Sequence, residues 1–235
     1  MSRQNQDKVT QDLSNGILAR SDSIHFRPRK YKIVIGITGS FACGKSTVAR
    51  MFKAKMSKAS ELIDADKVAH EAMRQGGAVY RKIVSFFGEG ILKKNKNIDR
   101  AKLARIVFVH SWALKKLNRM VHPAVIKEIS RAIKNSKKKI VILDAPLIVE
   151  SGARSLIDKL VVVTVKQGQQ FSRAKSRFLT KGEIAGRIKS QISQNAKARF
   201  ANFIIDNSGS MSETRKQVAE IRRTLIRCAH QDFSG

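Results

Sequence analysis

Residues 36–47 read GITGSFACGKST, between a strand-like run, Ile33-Val34-Ile35-Gly36-Ile37, and a helix-like one, Thr47-Val48-Ala49-Arg50-Met51. Within the stretch, Gly39-Ser40-Phe41-Ala42-Cys43-Gly44-Lys45-Ser46 matches G-x-x-x-x-G-K-S. A loop of this kind turns its backbone N–H groups inward around phosphate oxygens, and glycines allow the dihedrals. It ends at a helix N-terminus, where unbonded N–H groups and the helix dipole favour anions. Lys45 would reach the β- and γ-phosphates of a nucleoside triphosphate, and the Ser46 hydroxyl would bind Mg²⁺. Gly39 through Thr47 are therefore the candidate nucleotide-binding residues. The loop by itself leaves the acceptor open: water, a protein or a small molecule.

Outward from this loop, five short apolar runs read as buried strands: 31–37, 61–64, 139–144, 159–165 and 202–206. Helical patterns separate them, which predicts crossover units and a parallel sheet of α/β type. The gap between the second and third runs is too long for one crossover. Helical spacing at 79–88, 98–108 and 114–129 predicts a helical subdomain there, with Asp99 capping its second helix and Trp112, Leu117 and Met120 in its core. Residues 169–200 form a second insertion, helical in pattern and strongly basic.

The carboxylates follow strands. In open parallel sheets, ligands sit beyond the carboxyl ends of the strands. Asp64 and Asp66, in LIDADKVAH (62–70), are thereby aimed at the phosphate loop. One can cap the next helix while the other orients an acceptor hydroxyl and takes its proton. Asp144, at the end of VILDAPL (141–147), occupies the usual place of a carboxylate that helps hold Mg²⁺. Arg173, Arg177 and Arg187 lie in the basic insertion, where a segment folding over the transferred phosphate would supply charge and exclude water. The same charges also fit a solvated basic face.

The chain carries 47 Lys+Arg against 18 Asp+Glu, a net charge of +29. Residues 1–30, read as a loose extension, hold only six Lys/Arg and three Asp/Glu, so the charge belongs to the body. Such a body attracts polyanions, without saying which. A nucleic-acid-binding NTPase is one class it suggests. Against that class, aromatic residues make up only 6% of the chain and no nucleic-acid motif is evident. Two cysteines, Cys43 and Cys228, make no disulfide framework and no four-ligand zinc site, so a reducing compartment fits. Cys43 reads as a small core filler rather than a reactive thiol. No apolar run approaches the length of a membrane span, and the N-terminus lacks the apolar centre of a signal peptide. A cytoplasmic location is the expectation, as a monomer or weak homo-oligomer with no obligatory nucleic acid.

The order of motifs resembles the dephospho-coenzyme A kinases. That family begins T-G-G-I-G-S-G-K-S-T, here TGSFACGKST, and continues D-A-D-x-x-A-H, here DADKVAH (64–70). FFG (86–88), DRAKL (99–103), HPAV (122–125), PLIVE (146–150), QFSRAKSR (170–177), RIKSQ (187–191) and IDN (205–207) follow in the family's order. The resemblance covers about 32–225. It implies a three-layer P-loop fold with a five-stranded parallel sheet. The kinase domain would span 31–235, with its core at 31–66, 139–168 and 201–230, a coenzyme-binding helical insertion at 67–138 and a lid at 169–200. It also implies transfer of the ATP γ-phosphoryl group to the ribose 3′-hydroxyl of dephospho-coenzyme A, the last step of coenzyme A synthesis, with Mg²⁺. Asp66 would then be the base or orienter, and Lys45 and Arg173 would stabilise the transferred group. Arg177 and Arg187 would be lid contacts, Arg177 towards nucleotide and Arg187 towards substrate. Asp64, His70, Arg100, His122 and Pro146 would fall on the substrate side, and Asn207 near the adenine of ATP. Another small-molecule P-loop kinase, for nucleosides or nucleotides, is the alternative. Ser40 and Ala42 stand where the family carries glycines; a positive φ at Ala42 would cost of order 1 kcal/mol.

Overall fold

A computed structural model describes residues 32–175 and 180–232. Residues 1–30 and Arg177 lie outside them, as does the side chain of Cys228. Among the described residues the sheet has five strands, β1 (Ile33–Gly39), β2 (Ser60–Asp64), β3 (Ile140–Asp144), β4 (Lys159–Thr164) and β5 (Phe203–Asp206). Their order is β2-β3-β1-β4-β5, and every pair is parallel. A parallel sheet must be covered on both faces, which is why its strands read as continuous apolar runs. Side chains alternate along each strand. Ile33, Ile35 and Ile37 point to one face, packing with Val48 and Phe52 of α1 (Lys45–Met56) and with Val218 and Ile221 of α9 (Met211–Asp232). Val34, Val141, Leu143 and Val162 point to the other, packing with Ile129 and Ile133 of α5 (Ser111–Asn135).

Between β2 and β3 run α2 (Ala65–Ala72), α3 (Ala78–Phe87), α4 (Arg100–Val109) and α5. They enclose a core of their own, around Ile83, Ile91, Leu103, Val107 and Val121. Asp99 caps α4, accepting from the N–H groups of Ala101 at 3.0 Å and Lys102 at 3.2 Å. Leu117 and Met120 pack at the edge of this core, but Trp112 is 61% exposed. The reason is its register: Ala113, one position on, takes the buried place, while Trp112 packs edge-to-face on Phe86 outside. Pro123 lies within α5, where it removes one helical N–H bond.

After β4 come α6 (Gln167–Lys175), α7 (Lys181–Lys189) and α8 (Gln194–Ala198). α7 opens with a capping box in which Thr180 and Glu183 satisfy each other's backbone N–H groups. Ala174 and Ile184 bury against Ala42 of the phosphate loop, so the basic insertion rests on that loop.

Candidate active site

β1 runs through Thr38 and Gly39, two residues beyond the predicted strand end, and the phosphate loop turns from it into α1. Ala42 has φ +60 and Gly44 φ +91, so the positive dihedral considered for Ala42 is present. At Gly44 a side chain would be strained by the positive φ, and its Cβ would collide with Asn207 Nδ2, which would have to shift. Ala42 is 8% exposed as a residue and packs on Ala174 and Ile184. Strain of about 1–2 kcal/mol is thus set against roughly 0.8 kcal/mol from burying one methyl.

The loop is held from outside by side chains whose part the sequence did not disclose. Gln170 Nε2 donates to the Phe41 carbonyl at 2.7 Å, and the Phe41 N–H donates to Gln191 Oε1 at 2.9 Å. Both glutamines stand in quoted motifs, QFSRAKSR and RIKSQ; their being neutral among basic neighbours is the signal that could have singled them out. Asn207 Nδ2 donates to the Cys43 carbonyl at 2.8 Å, and its Oδ1 accepts from Thr214 Oγ1 at 2.9 Å. The side chain of Asn207 is therefore buried behind the loop, as a strut for it. The Asn207 carbonyl in turn accepts from Arg173 at 2.9 Å, which brings that guanidinium to the Gly44 side of the loop. Burial raises the Cys43 thiol pKa, so it stays protonated, as a core filler should.

Register places Asp64 opposite Asp144 at the carboxyl edge of the sheet. Asp64 Oδ1 is spent as the cap of α2, accepting from Asp66 N at 3.0 Å and Lys67 N at 3.2 Å. Asp66, in the first turn, is exposed on the cleft wall, and among the described residues its carboxylate makes no hydrogen bond or ion pair. Asp144 is 3% exposed and forms an ion pair with Lys45 Nζ. Next to it, buried Lys197 bridges Glu150 Oε1 at 3.0 Å and the Pro146 carbonyl, which also accepts from Thr38 Oγ1 at 3.0 Å.

One cleft of about 860 Å³ lies against these parts, with Asp64, Asp144, Arg173 and Asn207 outside its lining. The phosphate loop forms one side; Asp66, His70, Arg100 and His122 come from the helical insertion, Pro146 from the turn after β3 and Arg187 from α7. Arg100 contacts His70 Nδ1 at 3.1 Å. Burial first, and the Arg100 charge second, lower the His70 pKa. Burial likewise lowers that of His122 against the opposing pull of Glu150, so both imidazoles are neutral at pH 7. Arg187 packs against the rings of Phe41 and Phe108. Ser46 and Asp144 offer oxygen donors beside the loop. Mg²⁺ commonly binds through one or two protein oxygens plus substrate phosphates rather than an all-protein cage, so this pair fits. Among the described residues, no group of three or more His, Cys, Asp or Glu is arranged to hold a metal, and no helix is long and apolar enough to cross a membrane.

Comparison with known proteins places this arrangement. The CoaE (dephospho-CoA kinase) family model matches residues 33–213. The Aquifex aeolicus dephospho-CoA kinase is 42% identical over 194 residues, covering 82% of this chain and 97% of that protein. The Bacillus licheniformis one is 42% identical over 197 residues, covering 82% and 96%. Among solved structures, the dephospho-CoA kinase from Campylobacter jejuni superposes with a TM-score of 0.57 at 30% identity, covering 82% of this chain and 96% of that one. The family match begins at the first residue of β1 and ends within α9, so it takes in the whole sheet and every residue that lines the cleft: the chain belongs to the dephospho-CoA kinase family.

Proposed function

We propose that this protein is a dephospho-CoA kinase, a transferase moving the γ-phosphoryl group of ATP to the ribose 3′-hydroxyl of dephospho-CoA, giving CoA and ADP. The observation that carries the reading is the division of labour between two neighbouring carboxylates. Asp64 is consumed by the helix cap, while Asp66 stands uncommitted on the cleft wall shared with the phosphate loop. In this reading the acceptor hydroxyl donates to Asp66, which aligns the oxygen for in-line attack and takes its proton as transfer proceeds. Lys45 exchanges Asp144 for the β- and γ-phosphates, and Arg173 supports the transferred group from the Gly44 side. Arg177 and Arg187 add lid charge. Ser46 and Asp144 would hold Mg²⁺, which supplies neutralisation of phosphate charge. Arg100, His70 and His122 bind the acceptor from the insertion, the imidazoles as neutral hydrogen-bonding groups.

A coupled ADP-release assay with ATP, Mg²⁺ and a panel of acceptors tests the reading. Turnover with dephospho-CoA well above that with nucleosides or water is expected. Folded protein that releases ADP only with another acceptor would replace the proposed substrate.

A further inference from the structure

Arg187 lies where three parts of the chain meet. Its guanidinium carbon is 5.3 Å from the ring centroid of Phe41, in the phosphate loop, and 4.9 Å from that of Phe108, in the last turn of α4. Both distances are within cation–π range. The helix carrying Arg187 comes unusually close to α4: a Cβ at Gly186 would lie 3.0 Å from the Phe108 carbonyl oxygen. Phe41 is itself pinned through its N–H and C=O by Gln191 and Gln170. The arginine is thus held by two rings, each on a backbone that has little room to move. All three residues line the cleft.

A guanidinium is planar and carries its N–H donors in that plane. Aromatic contacts restrain the orientation of that plane.

We propose that Phe41 and Phe108 are positioning residues for phosphoryl transfer: their two rings hold the Arg187 guanidinium at the border between phosphate loop and acceptor region, where the transferred group passes. This rests on the reading of the cleft as a kinase site. It assigns the aromatic contacts a part in the chemical step rather than in nucleotide affinity.

The test separates those two quantities. ATP affinity by calorimetry and kcat are measured for the wild type, Phe41→Leu, Phe108→Leu, Phe41→Tyr, Arg187→Met and the double variant Phe41→Leu/Arg187→Met. Transfer to dephospho-CoA and the slow transfer to water without it are both followed. Loss of either ring should lower kcat by roughly three- to thirty-fold, the range of a partly desolvated cation–π contact. ATP affinity should move less than about twofold. Phe41→Tyr should restore kcat, and the double variant should be no slower than Arg187→Met alone, because the ring acts through the arginine. A wild-type kcat in Phe41→Leu overturns the proposal. So does a kcat loss matched by an equal loss of ATP affinity, and so do ring and arginine effects that multiply independently. If dephospho-CoA proves not to be an acceptor, the assigned reaction falls, while the water arm still reads the clamp.

Discussion

On the phosphate-loop side of the cleft, Phe41 is bonded through both its backbone polar groups, Cys43 is tied to Asn207, Lys45 is paired with Asp144, and Ala42 is packed under the lid helices. On the acceptor side, Asp66 is exposed and uncommitted, and Arg100 and His70 touch only one another among the hydrogen-bonded contacts described. In the proposed reading, the difference follows from the ligands each side must meet. A polyphosphate is recognised by backbone N–H groups, which bind well only if the loop is already shaped, since ordering it on binding would cost affinity. A hydroxyl is oriented by a carboxylate that must exchange a water partner for substrate and then take a proton, so its bonding capacity has to be open.

The contrast is broken most directly at its open end. Asp66→Asn should lower kcat by about 10²–10⁴-fold, with ATP affinity within about twofold of wild type. Unchanged turnover would remove Asp66 from the chemistry. The locked side is attacked next. Lys45→Met leaves the Asp144 carboxylate buried without its charge partner and should cost about 3–5 kcal/mol in denaturant unfolding. Adding Asp144→Asn should recover most of that loss; if it does not, the pair is not what stabilises the edge.

Gln170→Leu and Gln191→Leu each remove one bond to Phe41. A loss of about 0.5–1.5 kcal/mol per bond predicts ATP binding weaker by roughly two- to twelve-fold, additive in the double variant. If titrations show wild-type affinity, the loop holds its shape unaided. Ala42→Gly is expected to change unfolding free energy by less than about 1 kcal/mol, because relief of the positive φ opposes loss of the buried methyl and added freedom in the unfolded chain. A larger gain would mean that the lid packing contributes little.

The smallest effect concerns pH. His70 and His122 are held below the ordinary histidine value near 6.5, so below it the unfolded chain binds more protons than the folded one. Stability should be complete above that value and decline as pH falls towards the folded-state pKa. Replacing both with Asn should flatten the slope between about pH 7.5 and 5.5 in urea unfolding.

Much of this was legible in the linear order. The strand ends fell within two residues of the runs at 31–37, 61–64, 139–144, 159–165 and 202–206, because strands buried on both faces have to be continuously apolar. Asp99 could be read as a cap because a short carboxylate ahead of a helical pattern has few other uses. Trp112 was misplaced because two adjacent apolar positions compete for one buried slot, and helical phase within a turn is poorly constrained by hydrophobicity alone. The likeness of DADKVAH to the family pattern picked out Asp66, but which of its two aspartates caps depends on backbone geometry, and that left Asp66 free.

What the sequence by itself determined is the sheet, the phosphate loop and the family, since apolar periodicity, glycine spacing and motif order are properties of the chain read in line. What only the tertiary structure decided is who holds the loop. Gln170 and Gln191 lie 129 and 150 positions from Phe41 and Asn207 lies 164 from Cys43, yet in space they meet at GITGSFACGKST, and Phe108 reaches the loop through Arg187. The methyl of Ala42 finds its place there too, between Ala174 and Ile184. Such contacts depend on how helices dock across the sheet edge, and close packing rather than local preference selects them.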